Sequence, residues 1–286
     1  MKTNMVILLL VMAGNLLGHG GKPLVAVTFN GVSGTSGQML RFDGIGDYGV
    51  AVHHYWPGKE YVEDVLRRIK SGLTYAEWEN KNRDTYSPLD ASFPAALEGA
   101  QLLYIGQYTH DSAALPFQRY PEAVRKFLQN GGTVLFDYFS ATPALNGFLA
   151  GVGVENPSPT YSSLKPGCHL AIPWGKKEQP LFKIPHDVDG KDFRVYGWWE
   201  KWSGAQAAPF RSSDQSNARA VIIIQEKVLG KGRIIFSQMS CAFRTPMEGG
   251  DKLLLENILS YVFGRDITKY KEEMKMEKGG PGEPAG

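Results

Sequence analysis

The sequence predicts an α/β three-layer sandwich built on a mostly parallel sheet, with an irregular β-rich insert, and three observations carry that expectation. Leu102 to Ile105 and Val134 to Phe136 are apolar on consecutive residues, as strands covered on both faces are. Between them an amphipathic segment starts at Pro121 and stops at Asn130-Gly131-Gly132, so strand, loop, helix and strand follow one another as in a right-handed parallel crossover. At 286 residues, with 43% hydrophobic content, the chain can bury one large core.

The elements follow in order. Lys22 to Asn30 reads as a first strand that ends in a Gly- and Ser-rich stretch, Gly31 to Gly37. That stretch lacks the GK[ST] ending of a phosphate loop and does not fit GxGxxG, so a surface loop is expected. Val50 to Trp56 is β-prone, and on a strand the adjacent His53 and His54 point to opposite faces. Lys59 to Ile69 carries Val62, Val65, Leu66 and Ile69 as one helical stripe. Residues 71–94 read as a connection holding one short helix near Tyr75 to Asn80.

In the central helix Val124, Phe127 and Leu128 share a face, and Pro143 to Gly151 predicts the next helix, with Ser140 as its cap. From about 156 to 219 periodicity fades among many prolines, which marks the insert. Ala220 to Ile224 and Arg233 to Phe236, joined through Gly230-Lys231-Gly232, predict an antiparallel pair at the sheet edge. Leu255, Ile258, Leu259 and Val262 line a final helix behind Asp251, ending at Gly264. The charged, then Gly- and Pro-rich segment 265–286 is expected to fray.

Charge excludes one class of partner. The 31 basic and 29 acidic residues are mixed along the chain, leaving a formal +2 and no basic footprint for nucleic acid. Residues 1–20 join Lys2, an apolar run from Val6 to Ala13, and Gly18-His19-Gly20, the pattern of a secretory signal peptide. That run is shorter than the roughly 20 residues of a spanning helix, so a secreted or periplasmic protein with no membrane span is expected. Cys168 and Cys241, the only cysteines, permit a disulfide or two buried thiols.

In a parallel sheet the ligand crevice lies beyond the carboxyl ends of the strands, which directs attention to residues 107–111 and 137–140. His110, Asp111 and Asp137 are candidate catalytic groups or, with His53 or His54, metal ligands. Ser140 is a candidate nucleophile, although FDYFSAT lacks the GxSxG elbow. Gln107, Tyr108, Tyr138 and Gln238 are candidate ligand contacts. Trp198, Trp199 and Trp202 are a candidate platform for stacking sugar rings, or buried core aromatics. No cofactor is expected.

ALEGAQLLYIG, PEAVRKFLQNGGTVLFDY, LGKGRIIFSQMS and LLLENILSYVFG together make residues 23–264, apart from the insert, resemble the class I glutamine amidotransferase-like superfamily. The likeness is to its exported trehalose-utilisation-like and β-galactosidase-trimerisation-like branches. It implies a flavodoxin-like fold as one amidotransferase-like domain over 21–264, with the insert inside it. It also implies a nucleophilic Cys after the strand Thr133 to Phe136 and a His-Glu pair after Arg233 to Phe236. Here Tyr138 and Phe236-Ser237-Gln238-Met239 stand in those places. Acyl transfer from glutamine then lacks both nucleophile and base. The expectation is an exported non-catalytic module, a pseudoenzyme binding a carbohydrate or a protein partner. The alternative is a hydrolase or metal-dependent enzyme acting on a saccharide derivative.

Overall fold

The computed structural model describes residues 23–31, 44–68, 74–82, 84–106, 112–155, 159–161, 168–170, 180–189, 191–193, 195, 197–199, 206–212, 219–238 and 250–278. The predicted runs form strands β1 (Val25–Asn30), β2 (Ala51–Trp56), β4 (Leu102–Gly106) and β5 (Thr133–Asp137), and the stretch read as a connection adds a short edge strand, β3 (Ser87–Pro88). The insert contributes β6 (Thr160–Tyr161), β7 (Cys168–Leu170), β8 (Asp192–Phe193), β9 (Gly197–Trp198) and β10 (Gln206–Ser212). Two longer strands, β11 (Arg219–Val228) and β12 (Gly232–Ser237), follow it.

Ten of these strands make one sheet in the order β3-β2-β1-β4-β5-β12-β11-β10-β7-β8. From β3 across to β12 every neighbouring pair is parallel, and from β12 outward every pair is antiparallel. The antiparallel pairing of β11 with β12 is as expected, but the pair is not at the sheet edge. Strands of the insert, β10, β7 and β8, extend the sheet past β11 and bond its outer side. Strands β6 and β9 pair with each other.

The helices are α1 (Lys59–Arg68), α2 (Tyr75–Asn82), α3 (Phe93–Glu98), α4 (Leu115–Arg119), α5 (Pro121–Gln129), α6 (Pro143–Gly151), α7 (Pro180–Lys183), α8 (Gly250–Phe263) and α9 (Ile267–Lys278). Because side chains alternate across a strand, each central strand feeds two cores. Leu103, Ile105, Val134 and Phe136 pack with Phe93, Leu97, Val124, Phe127, Leu145 and Leu149, so α3 to α6 cover one face. Tyr104, Leu135 and Ile235 pack with Leu181, Leu255, Ile258, Ile267 and Tyr270, so α7 to α9 cover the other. The result is a three-layer α/β sandwich of flavodoxin-like type with a mostly parallel central sheet.

Three local expectations need correction. Residues 267–278 form α9 instead of fraying, because Ile267 and Tyr270 are buried under α8 and Ser260 Oγ accepts the Ile267 amide at 3.0 Å. The cap of α6 is Thr142, whose Oγ1 accepts the Leu145 N–H at 3.2 Å, and Ser140 lies before it. Helix α3 falls where a plain connection was expected, since Pro94 sits in its first turn, the one helical place where proline costs nothing.

Candidate functional site

Strands β1 and β2 lead toward one edge of the sheet and β4 and β5 toward the other, so the strand order reverses between β1 and β4. At such a switch point the connections leaving the two strands diverge and open a crevice beyond their carboxyl ends. The pairing register places Asn30, Gly106 and Asp137 abreast there, one on each of β1, β4 and β5. In a parallel register residues abreast share a face. Two positions earlier on that face Thr28 and Tyr104 stand abreast in the same way.

Among the described residues their side chains make two separate polar pairs and leave one amide unmatched. Tyr104 donates its hydroxyl to Asp137 Oδ2 at 2.5 Å, and both residues are buried, at 0% and 3% exposure. Thr28 Oγ1 bonds His54 Nδ1 at 2.6 Å. Asn30 is 3% exposed, and among the described residues neither its Oδ1 nor its Nδ2 has a hydrogen-bond partner. Its carboxamide leans over Gly106: a Cβ built on that glycine would lie 2.8 Å from Asn30 Oδ1 and 3.2 Å from the Tyr104 ring. Gly106 is therefore what leaves space for the amide. Gly31 plays the same part beside Ser112, whose Oγ would meet a Cβ at 2.5 Å.

After β5 the chain turns through Tyr138, which holds a left-handed φ of 65°. Few non-glycine residues take that conformation, and one that does is held there by its surroundings. Here the clamp lies on β12 and the residue after it. Phe139 N–H donates to Ser237 O at 2.9 Å, Gln238 Nε2 donates to Phe139 O at 2.7 Å, and Gln238 N–H donates to Val221 O at 3.0 Å. Phe139 is wedged among Phe136, Phe236 and Trp199 with ring centroids 5.4, 4.8 and 6.3 Å away. Gln238 is fully buried, and its Oε1 has no partner among the described residues.

These positions sort the sequence candidates. Asp137, Tyr138 and Gln238 meet at the carboxyl edge, as expected of that edge. Trp199 is withdrawn from any ligand surface: it is 1% exposed, bridges to Ala220 through two backbone hydrogen bonds and belongs to the core. Trp198, its neighbour in sequence, is half-buried against the opposite core. His54 cannot join Asp137 on one metal, since β1 and β4 separate their strands and three strand spacings amount to about 14 Å. His53 is exposed. Gln107, Tyr108, His110, Asp111, Trp202 and Cys241 lie outside the described residues, as do residues 1–20. Cys168 lies on β7, beyond β11 and β10 from β12. Among the described residues no group of three His, Cys, Asp or Glu side chains is gathered to hold a metal, and no helix is long and apolar enough to cross a membrane.

Asn30, Thr28 and Tyr104 were not singled out from sequence. The one available signal was a polar residue ending an apolar strand, as in VAVTFN. Two other features compete as sites. A cavity of about 280 Å³ opens between α3 and α5, lined by Pro94, Leu97, Ala123, Phe127 and Gly132, but it sits beside the residues that enter β4 and β5, at the opposite end of the strands. Glu98 and Lys126 on its rim pair with each other at 2.6 Å. The second is buried Glu256, which accepts from Tyr48 at 2.9 Å and meets His186 Nε2 at 2.5 Å, with Lys252 at 3.8 Å. Burial first, then the Glu256 charge, pushes the Tyr48 hydroxyl above the usual tyrosine range. Both oxygens of Glu256 are engaged, and the cluster ties residues 46–48 and the chain after α7 to α8. It holds the layers together. Among the described residues the buried side-chain atoms without a hydrogen-bond partner are those of the Asn30 and Gln238 amides, both at the carboxyl edge, and Arg125 Nε, Thr133 Oγ1 and Trp198 Nε1 elsewhere.

No protein-family profile matches the chain, and no curated protein does.

Proposed function

We propose that the chain is an exported, non-catalytic amidotransferase-like module that binds a carbohydrate at the carboxyl edge of β1, β4 and β5. The observation that carries this reading is the turn at Tyr138. Its left-handed φ stands at the position where the amidotransferase resemblance puts the nucleophile, yet the residue on it is a tyrosine and its neighbours are bonded inward. Asp137 is buried against the Tyr104 hydroxyl, and Gln238 spends its amide N–H on the Phe139 carbonyl. A turn of this kind keeps its strained geometry without a thiol or an imidazole on it, which favours binding over acyl transfer from glutamine.

The described polar groups at the edge are the Asn30 and Gln238 amides, the Tyr104 hydroxyl and the Asp137 carboxylate bonded to it, with no cation among them, a set that suits a neutral polyhydroxyl ligand better than an anion. Export rests on the pattern of residues 1–20. A protein partner docked at the same edge is the competing outcome.

A thermal-shift screen of the purified protein against monosaccharides and disaccharides, run beside a glutamine-hydrolysis assay, tests the reading. A sugar at about 100 times its Kd adds about 2.7 kcal/mol to the native state. For a chain of this size that is a rise of about 5–10 °C in Tm. Glutamine turnover, or a complete absence of sugar-induced stabilisation, refutes it.

A further inference from the structure

The geometry points to Asn30 as the ligand-recognising residue of this edge, its carboxamide taking an adjacent pair of sugar hydroxyls, one as donor and one as acceptor. The inference rests on the binding reading above and adds to it both a residue and a chemistry.

The argument starts from cost. A buried polar group without a partner forfeits about 1–3 kcal/mol. Asn30 carries two such atoms on one side chain at 3% exposure. Nothing in the local fold demands an amide there. The strand backbone is paired in register with Gly106, and the space the amide occupies exists because position 106 has no side chain. A leucine or valine would fill the same place without orphaned atoms. Other unmatched buried atoms among the described residues, Arg125 Nε, Thr133 Oγ1, Trp198 Nε1 and Gln238 Oε1, are single atoms of their side chains, whereas Asn30 leaves both ends of its amide open, and it lies on the last residue of β1 at the point where the strand order reverses and a bound group can complete the bonds.

The chemistry follows from the inventory. A primary carboxamide offers two N–H donors and one carbonyl acceptor in one plane, the complement of two neighbouring hydroxyls. It carries no charge with which to compensate a phosphate or carboxylate. Asp137, abreast of it across Gly106, is also a poor neighbour for an anion. A site built to bond hydroxyls discriminates strongly, because a ligand lacking them leaves the amide as unpaired as before.

The test is a titration of the purified full protein with D-glucose, D-galactose and N-acetyl-D-glucosamine, followed by calorimetry and by the side-chain amide resonances of Asn30. The expected result is that at least one sugar binds, moves the Asn30 NH₂ signals, and binds Asn30→Ala at least tenfold more weakly while the far-UV circular dichroism is unchanged. Wild-type resonances answer the question even if that variant fails to fold. A sugar that binds without moving the Asn30 signals, or that binds Asn30→Ala as tightly as wild type, overturns the assignment and leaves the binding reading standing. Failure of all three sugars to bind the wild-type protein overturns both.

Discussion

Tyr104→Phe removes one hydroxyl from the middle of the sheet and leaves the ring where it is. The lost group donates to Asp137 Oδ2 at 2.5 Å, with donor and acceptor residues at 0% and 3% exposure, so water cannot replace it. Hydrogen bonds to ionised groups contribute about 1.5–3 kcal/mol, and no cavity term enters because no carbon is removed. The predicted destabilisation is therefore about 1.5–3 kcal/mol, or about 3–12 °C in Tm at roughly 2–4 °C per kcal/mol. Urea denaturation followed by tryptophan fluorescence reads it, since Trp199 lies in the core and senses global unfolding. A loss below about 0.5 kcal/mol is what an ordinary surface substitution costs. That result would show that the hydroxyl and carboxylate are not bonded as described.

Three further outcomes are expected. Gly232→Ala puts a Cβ 2.6 Å from the Leu128 carbonyl oxygen and 2.8 Å from that of Val228; since backbone must move, a loss of about 2–3 kcal/mol is expected in chemical denaturation, and wild-type stability would refute the packing of α5 on β12. Gly106→Ala pushes on the Asn30 carboxamide from 2.8 Å, so sugar affinity measured by calorimetry should fall about tenfold, a loss of about 1.4 kcal/mol; undiminished affinity would count against the role of that amide. The raised folded-state value of Tyr48 means its contribution is complete below its unfolded value near pH 10 and is lost as the pH rises above it. The alkaline fall in stability should accordingly be shallower in Tyr48→Phe, and identical slopes would contradict the buried Tyr48–Glu256 contact.

What could be read from the sequence was whatever two-sided burial or helical periodicity writes plainly. Strands β4, β5 and β12 are runs of consecutive apolar residues because both faces are covered, and α5 shows its stripe at Val124, Phe127 and Leu128. Helix α9 was not legible because Ile267 and Tyr270 are sparse anchors among charged residues, and its apolar partner is a distant surface formed by α8 and Tyr48. The outward extension of the sheet was hidden for a similar reason. Strands β7 and β8 are three- and two-residue segments between prolines, β10 contains Pro209, and the pairing that defines all three is non-local.

At the site, Asp137, Tyr138 and Gln238 were legible because they follow strands whose direction was clear. Asn30 was not, since one polar residue at a strand end looks the same whether it caps a turn or waits for a ligand. For Trp199 the sequence left platform and core both open, because the residue after a two-residue strand has no alternation from which to tell its buried face.

The most direct test of a sugar-binding carboxyl edge is a crystal structure of the protein soaked with whichever sugar stabilises it most. The account predicts density for the sugar against Asn30 and Gly106, within reach of Tyr138. Density in the cavity between α3 and α5 instead, with the carboxyl edge empty, would contradict it.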